Sequence, residues 1–574
     1  VGYPEVAQRT GIGTLLVIWA VRHGRESRSG GTTRQCEDLA CLQRRSRQAS
    51  DGASRTCTPV TDTSTDRPER AVRRGRDARV AKRRTRVQRW LPELERRIPW
   101  VDLLDDGQVQ RIHGASMDII EEVGVEFRCD DAIGMWRAAG ADVDGVTVRI
   151  DREHLMSLLG TAPSSYTMVA RDPAHTVTVG DGRTIFTPSY GAPYVLDLDG
   201  VRRPATLQDF RDFTKLNHLS PALHMSGGVV CEPMDVPVPK RHLYMTESLL
   251  KYSSKPFMGA VTSMDRAEDS LHMAGIVFGQ DFVRETTVMT CLANANTPLV
   301  WDKTMLDSVR VFAAANQATL FSPFVLGGAS TPASTVGAVI QVNIEALTGV
   351  AFSQLVRAGA PALYGQWLST VSMRTGAPQA GTPEICHMNL LTAQMARHYN
   401  LPSRCSGSCT SSKMVDAQAG YEAARNMYGV LMAGTNFVLS TTGYLESAMC
   451  QSYAKWVLDS EQLELMYRLG SGVSFDDLDE VLDSMRSVPA GGHHLGTEHT
   501  LANFQTAFSM PEMMNSDNYE QWLADGSQSA EERATARCRQ MLEEYEEPKL
   551  EDHVREELDD YVARRDAELP DLVT

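Results

Sequence analysis

Five aromatic side chains are the residues of this sequence best suited to binding chemistry, because each lies near the end of a short apolar segment that is typical of a β-strand. They are Tyr190, Tyr194, Tyr364, Trp367 and Tyr444. The face of an aromatic ring attracts a quaternary ammonium group, with roughly 0.5–2 kcal/mol per ring. Together these rings indicate a site for an organic cation, although a single ring is more often part of the core or the rim of a domain.

Two carboxylates and one amide also follow predicted strands, at Glu232, Glu446 and Asn294. A carboxylate beside an ammonium group stabilises the positive charge, so either glutamate could assist cation binding or could instead pair with an arginine. The Asn294 amide could form hydrogen bonds with a ligand, or it could form a turn at the strand end. These three side chains are candidates for contact with the same ligand.

Arg374 and His499 are candidates for holding an anionic part of the ligand. A guanidinium group can bind a carboxylate through two parallel hydrogen bonds, and the alternative for Arg374 is an ion pair with Glu384. The alternative for His499 is a structural hydrogen bond. The sequence leaves both choices open.

Cys409 is the candidate nucleophile. No flanking base is present to lower the pKa of its thiol, so the alternatives are a pocket wall or a small buried side chain. Cys405, Cys409 and His387 could instead bind zinc, because a spacing of four on a strand sends both cysteines to one face. The ligand set is incomplete, and we expect no metal.

These residues need a scaffold, and from about residue 205 short β-branched segments alternate with amphipathic segments of a dozen or more residues. That alternation is typical of βα units in a parallel sheet. Seven strands are predicted, and an eighth is expected before His499, which favours a closed (β/α)8 TIM barrel with its active site at the carboxyl ends of the strands. The predicted strands are residues 224–230, 256–262, 287–293, 324–328, 362–366, 403–408 and 437–441.

The α/β barrel is expected to have additions at both ends. Residues 1–88 are predicted to be a disordered basic extension, which could come from a misplaced start because the first methionine is Met117. Residues 89–204 are predicted to form an N-terminal α+β cap, residues 205–510 the barrel, and residues 511–574 a C-terminal helical extension. Helical periodicity places helices at residues 334–358, 383–398, 416–433, 530–544 and 550–565.

Charge is distributed unevenly, with 20 Lys and Arg against 9 Asp and Glu in residues 1–90, and 37 against 64 in the remainder of the chain. An acidic body repels phosphate backbones, so no nucleic-acid partner is expected. No phosphate-binding glycine motif follows a predicted strand. Eleven cysteines without regular spacing and no recognisable membrane span favour a reduced, cytoplasmic protein without a membrane partner.

Three motifs resemble the trimethylamine methyltransferase family. Residues 364–378 read Tyr-Gly-Gln-Trp-Leu-Ser-Thr-Val-Ser-Met-Arg-Thr-Gly-Ala-Pro and are followed by Gly-Thr-Pro-Glu at 381–384. Residues 411–422 read Ser-Ser-Lys-Met-Val-Asp-Ala-Gln-Ala-Gly-Tyr-Glu, and residues 498–504 read Glu-His-Thr-Leu-Ala-Asn-Phe. The similarity extends from about Trp90 to the C-terminus, and three motifs in order are more specific than any one of them.

The resemblance implies methyl transfer to the Co(I) centre of a corrinoid (cobalamin) carried by a partner protein, with no tightly bound cofactor. Founding members of the family carry pyrrolysine in the loop before the second motif, and the equivalent residue here is Cys409, to within one or two positions. Pyrrolysine is thought to make a neutral amine cationic, whereas a quaternary amine already carries the charge. The absence of pyrrolysine therefore favours a quaternary substrate such as glycine betaine. A homo-oligomer is also expected.

Three alternatives remain at this point. The substrate could be trimethylamine or a sulfonium compound of the same family. The chain could be a non-catalytic barrel that binds a quaternary amine. It could also be a different barrel enzyme, such as a zinc-dependent methyltransferase acting on thiols.

Overall fold

A computed structural model describes residues 90–572, and these residues belong to one compact unit. The extension predicted for residues 1–88 lies outside the described residues. The described chain is a mixed α/β fold. Its strands are β1 Leu94–Glu95, β2 Val125–Arg128, β3 Asp142–Asp144, β4 Thr147–Arg149, β5 Ser165–Met168, β6 Val177–Gly180, β7 Arg183–Phe186, β8 Tyr194–Leu196, β9 Arg202–Pro204, β10 Phe257–Met258, β11 Met289–Ala293, β12 Val300–Asp302, β13 Ala318–Phe321, β14 Phe324–Gly327, β15 Ala362–Gly365, β16 Trp367–Val371, β17 Pro378–Gln379, β18 Ser403–Ser406, β19 Phe437–Leu439, β20 Tyr444–Leu445 and β21 Cys450–Ser452.

The helices lie mostly between and after these strands. They are α1 Asp106–Glu122, α2 Asp130–Ala138, α3 Arg152–Leu159, α4 Leu207–Leu219, α5 Arg241–Tyr252, α6 Met264–Phe278, α7 Gln280–Glu285, α8 Lys303–Ala314, α9 Thr335–Val356, α10 Pro383–His398, α11 Ala417–Ala433, α12 Tyr453–Gly470, α13 Leu478–Ser487, α14 Glu498–Asn503, α15 Tyr519–Ala524, α16 Ala530–Glu543 and α17 Asp552–Glu568. Single 3-10 turns occur at Pro173–His175 and Glu446–Ala448.

A curled ten-stranded sheet forms the centre of the fold, in the order β10-β11-β13-β15-β18-β19-β7-β6-β5, with β1 paired to β7. The seven strands from β10 to β7 in that order are all parallel. Residues 224–227 form backbone hydrogen bonds with both β10 and β7, the first and last of these parallel strands. The His224 amide donates to the Phe186 carbonyl (2.9 Å) in β7, and the Met258 amide in β10 donates to the Gly227 carbonyl (2.7 Å).

Four expectations about the strands were wrong. The expected strand at residues 224–230 does not form, and only Gly227 makes an isolated bridge to Phe257 there. The parallel sheet begins at β7, within the region assigned to the cap, because a four-residue strand gives little periodic signal. The segment before His499 is helical (α13 and α14) instead of an eighth strand. The expected strand at 324–328 exists as β14 but pairs with β16 in a separate three-stranded sheet, and β13 takes the place in the central sheet.

The helices follow the sequence closely. Helix α10 has the predicted bounds and begins with a proline, which suits the first position of a helix. Helix α11 begins after Asp416, whose side chain accepts a hydrogen bond from the Ala419 amide (2.9 Å). This N-cap accounts for Asp416 without a ligand.

The two faces of the central sheet are covered differently. Its outer face packs against helices such as α8, α9 and α10. Its inner face holds a separate apolar cluster that includes Met225, Leu292, Leu320, Leu363 and Phe437, and strands β5 and β6 contribute further residues to that cluster. Apolar side chains therefore occupy much of the inner face of the sheet.

Helix α9 is long and apolar enough, by length and composition, to cross a membrane, which the sequence analysis did not anticipate. In the fold, 72% of its apolar window is buried. It packs against α1, α3 and β15, as the core helix of a globular domain does.

Candidate active site

An aromatic group lies where the chain leaves the central sheet and is centred on Trp367 of β16. The Trp367 ring stacks on Phe324 (6.3 Å between centroids) and meets the edge of Tyr444 (6.1 Å). Tyr444 is fully buried and its hydroxyl bonds the backbone of Tyr190, while Trp367 stays partly exposed. The Tyr190 ring in turn lies against Gly228. Two of the five predicted rings, Trp367 and Tyr444, are thus in contact, with Phe324 added, whereas Tyr190 meets Tyr444 through its backbone and packs against the apolar cluster inside the sheet.

Cys409 packs in the same place, in an apolar cluster with Ala192, Ala380, Tyr444 and Ala448, and Trp367 packs against this cluster. Burial raises the pKa of the Cys409 thiol to about 12. A thiol with that pKa stays protonated at neutral pH. The arrangement therefore fits a pocket wall and gives no support to a thiolate nucleophile.

Arg404 of β18 is a fully buried arginine at this end of the sheet. Its Nη1 donates to the Ser322 hydroxyl (2.8 Å) and to the Gln366 carbonyl, and its guanidinium carbon lies 5.7 Å from the centroid of the Trp367 ring. Burial lowers the pKa of Arg404 to about 10, so it remains charged at neutral pH. Within residues 90–572 it forms no ion pair.

Several other buried polar atoms near the strand ends have no hydrogen-bond partner in the described chain. They are Arg404 Nε and the hydroxyls of Ser189, Ser406, Ser440 and Thr442. Buried polar groups are normally hydrogen-bonded, and a concentration of unbonded ones is typical of a site that takes a polar ligand or water. The site therefore combines aromatic faces with unused polar groups.

A strained turn borders this site. Glu446, Ser447 and Ala448 all have left-handed backbone angles, with φ of 54°, 53° and 76°. The amides of Glu446 and Ser447 bond the carbonyls of Ser412 and Thr410 (both 2.8 Å), which holds the turn against the loop that carries Cys409. Such conformations cost on the order of 1 kcal/mol or more each and concentrate at functional sites.

Comparison with known proteins agrees with the motifs. A family model for trimethylamine methyltransferase matches residues 72–570. The chain belongs to the trimethylamine methyltransferase family. It is therefore a methyltransferase. Two of the three motifs, residues 364–378 and 411–422, border the aromatic group.

Among the relatives in this family, the glycine betaine methyltransferase of Desulfitobacterium hafniense (strain Y51) is 37% identical over 473 residues, which cover 82% of this chain and 98% of that protein. The proline betaine:corrinoid methyltransferase of Eubacterium limosum is 28% identical and covers 67% of this chain and 82% of its own length. Among solved structures, the monomethylamine methyltransferase of Methanosarcina barkeri covers 77% of this chain and 88% of its own at 10% identity, with a TM-score of 0.48.

The two glutamates expected at the site are paired with arginines, which is one of the two alternatives that the sequence left open. Arg202 donates to both carboxylate oxygens of Glu446 (2.7 and 2.9 Å). Glu232 lies 3.6 Å from Arg241, and burial raises the pKa of Glu232 against the lowering effect of that arginine. The Arg202 guanidinium also covers the Tyr194 ring at 3.8 Å, so this ring is already occupied by a cation.

Three other expectations about site residues do not match the positions found. Tyr364 faces the helices instead of the site, since its hydroxyl donates to Asn343 (2.9 Å) in α9. Arg374 is exposed in the turn between β16 and β17, and no ion pair joins it to Glu384 in the described structure. His499 lies on α14 beside Asp477 (3.4 Å), and no contact between described residues joins it to the aromatic group.

Two further outcomes concern Asn294 and zinc. Asn294 follows β11 as expected and is half-buried. The zinc alternative fails geometrically. Strand β18 ends at Ser406, so Cys409 lies beyond the strand. The Cys405 thiol donates instead to the Asn389 carbonyl (3.5 Å). A cysteine and two aspartates do lie close together at Cys129, Asp131 and Asp307, but Arg310 pairs with both aspartates.

The sequence analysis missed Arg404 and Phe324. Arg404 had a recognisable signal, because a charged residue in the middle of a predicted buried strand needs an explanation. Phe324 was assigned to a strand of the central sheet, so it was not considered as a site residue. Both were overlooked because only residues after the predicted strands were considered.

Proposed function

We propose that this member of the trimethylamine methyltransferase family transfers a methyl group from a small quaternary amine, with glycine betaine as first candidate, to a Co(I) corrinoid carried by a separate protein. The observation that carries the proposal is the group formed by Phe324, Trp367 and Tyr444 at the carboxyl ends of the strands. Aromatic faces of this kind suit a permanently charged ammonium group. The 37% identity to a glycine betaine methyltransferase supports the same substrate class.

The chain's own contribution to the reaction is positioning and exclusion of water. Trp367 and Tyr444 orient the ammonium group, and the protonated Cys409 thiol forms part of an apolar wall. The methyl carbon moves from nitrogen to cobalt, and the electron pair of the broken bond stays on the nitrogen, which leaves a neutral tertiary amine. No proton transfer is needed. The chain therefore accelerates the reaction by aligning the two reactants and by excluding water from the site.

A quaternary donor is favoured over trimethylamine because no covalent activator is present. The position equivalent to pyrrolysine, at or near Cys409, holds a buried thiol whose pKa is about 12. Such a group cannot convert a neutral amine into a cationic donor. Asn294, Tyr190 and the paired carboxylate of Glu232 are proposed as further contacts around the substrate.

We further propose that the central sheet closes as a (β/α)8 barrel, with residues 224–227 as the eighth segment. The hydrogen bonds from His224 to Phe186 and from Met258 to Gly227 support this closure. A barrel would place the aromatic group at its open end, where a partner protein could present the corrin ring. A cytoplasmic location without a membrane or nucleic-acid partner remains part of the proposal.

Methyl transfer to free Co(I) cobalamin tests the proposal directly. The visible spectrum of cobalamin changes on methylation, and we expect this change with glycine betaine and not with trimethylamine. Binding of glycine betaine without any transfer to cobalamin or to a corrinoid protein would favour a non-catalytic binding protein instead. Transfer from trimethylamine or from a sulfonium compound at a higher rate would replace the substrate assignment.

The proposal includes a homo-oligomer in which residues 471–526, here called the outer segment, contact a second copy. Its helices α13, α14 and α15 contain no buried residue. Thirteen large apolar side chains in it are 37–81% exposed, namely Val473, Phe475, Leu478, Leu482, Met485, Leu495, Leu501, Phe504, Phe508, Met510, Met514, Tyr519 and Leu523. Covering them would bury on the order of 1,000 Å² per subunit, which is enough for a stable dimer interface.

A further inference from the structure

The interior of the site contains one charge that its protein surroundings do not balance. Around the aromatic group, Lys455 is paired with Asp459 (2.6 Å), and Glu446 and Glu232 are paired with Arg202 and Arg241. Arg404, by contrast, has only neutral partners, the Ser322 hydroxyl and the Gln366 carbonyl, and its Nε has none among residues 90–572.

The backbone next to Arg404 leaves space for its side chain. Gly365 of β15 lies beside Arg404, and a Cβ at Gly365 would stand 3.0 Å from the Arg404 Cβ and 3.1 Å from the Phe321 carbonyl. The glycine therefore allows the arginine side chain to lie inside the curled sheet. Arg404 is 1% exposed, so bulk solvent does not screen its charge.

An isolated buried charge is unfavourable unless another charge pairs with it. Leucine or methionine would fill the same space without this penalty, so an arginine retained here needs an anionic partner, which residues 90–572 do not supply. The partner must be small enough for the interior, and it must lie beside the aromatic group.

We propose that Arg404 binds the carboxylate of the substrate, so that the enzyme takes a zwitterion in which a carboxylate lies close to the quaternary nitrogen. This inference rests on the proposed function and makes its substrate class more specific. A guanidinium group with free N–H donors suits a carboxylate, through charge-assisted hydrogen bonds.

The distance between the two binding groups agrees with this assignment. The Arg404 guanidinium lies 5.7 Å from the Trp367 ring centroid. In glycine betaine a single methylene separates the carboxylate from the ammonium nitrogen, so the groups that recognise the two ends must lie a few ångströms apart. The unbonded hydroxyl of Ser406, which lies on the same strand as Arg404, is a second donor within the interior.

Calorimetric binding of glycine betaine and choline to Arg404→Gln tests the inference, because the two ligands share the trimethylammonium group and only the first has a carboxylate. We expect wild type to prefer glycine betaine. In the variant, the affinity for glycine betaine should fall on the order of 50-fold, as for loss of a charged hydrogen-bonded pair, and the affinity for choline should change less than about threefold. Binding needs no corrinoid, so failure of methyl transfer would be recognised separately.

Two further variants complete the test. Arg404→Lys keeps the charge and loses the two-pronged geometry, so it should retain a preference for glycine betaine even where Arg404→Gln does not fold. Arg374→Gln removes the exposed arginine of the β16–β17 turn. The inference is overturned if Arg374→Gln alone abolishes the preference, if Arg404→Gln weakens both ligands equally, or if wild type binds choline as tightly as glycine betaine.

Discussion

At the scale of single residues, Trp367 combines the most contacts in the proposed site. It joins Phe324, Tyr444 and the Arg404 guanidinium, yet its ring is only partly buried. The partly exposed Trp367 ring is proposed to accept a ligand cation, whereas the Tyr194 ring, which Arg202 covers at 3.8 Å, cannot do so without displacing it. Residue type and position in the sequence did not distinguish these two aromatics.

Replacing Trp367 with alanine should weaken glycine betaine binding by about 5- to 30-fold, since one cation–π contact in a desolvated site contributes roughly 1–2 kcal/mol. Isothermal calorimetry measures the affinity, and thermal unfolding shows whether the fold is retained. Trp367→Phe keeps a ring and should lose less. An affinity unchanged in Trp367→Ala would remove this residue from the site.

Replacing Cys409 with alanine should leave methyl transfer within about threefold of wild type. The reason is that burial holds the pKa of the thiol at about 12, so no thiolate is available as a nucleophile near neutral pH. Initial rates with Co(I) cobalamin provide the measurement. A loss of a thousandfold or more with unchanged substrate binding would instead establish Cys409 as a catalytic residue.

At the scale of elements, a buried carboxylate contributes to holding the C-terminal helix α17 on the fold, together with ion pairs from Lys240 and Lys251. Asp269 of α6 accepts hydrogen bonds from Tyr561 (2.6 Å) and Arg565 (2.8 Å) of α17 and contacts His242 of α5 (2.7 Å). Burial by itself would raise the pKa of Asp269, but these partners outweigh it and hold the pKa well below its usual value. The ionised carboxylate thus stabilises the docked helix.

Asp269→Asn should lower the free energy of unfolding by about 3 kcal/mol, because it removes the buried carboxylate that the Arg565 guanidinium and the Tyr561 and His242 side chains bond. The pKa of Asp269 is lower in the folded than in the unfolded chain, so its stabilisation is present above about pH 4 and is lost as the pH falls further. Urea unfolding at several pH values measures both effects. Asp118→Asn, which alters an exposed pair with Arg152, should change stability by less than about 0.5 kcal/mol.

At the scale of the whole molecule, the outer segment differs from the rest of the described chain. It extends between α12 and α16, and its large apolar side chains are exposed to a degree that a monomer rarely tolerates. Helix α16 packs directly on α12, so the outer segment is not needed to connect them tightly. We propose that a second copy covers these side chains.

Replacing Phe475 and Phe508 together with serine should shift the protein to a smaller assembly in sedimentation velocity, because these rings are 74% and 81% exposed. Phe282, which is 43% exposed on α7 outside the outer segment, provides the control, and Phe282→Ser should leave the assembly unchanged. The same assembly in the double variant and in wild type would contradict a role of the outer segment in self-association.

The sequence by itself determined the family, the mixed α/β class and the bounds of most helices. Helices α10 and α11 could be predicted almost to the residue because periodicity, an initial proline and an N-cap are local signals. The central strands were located less well, because strands buried on both faces lack alternation and several have only two to four residues.

Only the tertiary structure decided which side chains of those strands face the site. Successive residues of a strand point to opposite faces, so a difference of one position separates Tyr364, which bonds a helix, from Gly365, which lies beside Arg404 inside the sheet. Pairing of charges is equally non-local, since Glu446 meets an arginine 244 positions away, and Arg404 meets no carboxylate in the part of the chain that the structure describes. Composition and spacing cannot report such distances, because folding alone brings these residues together.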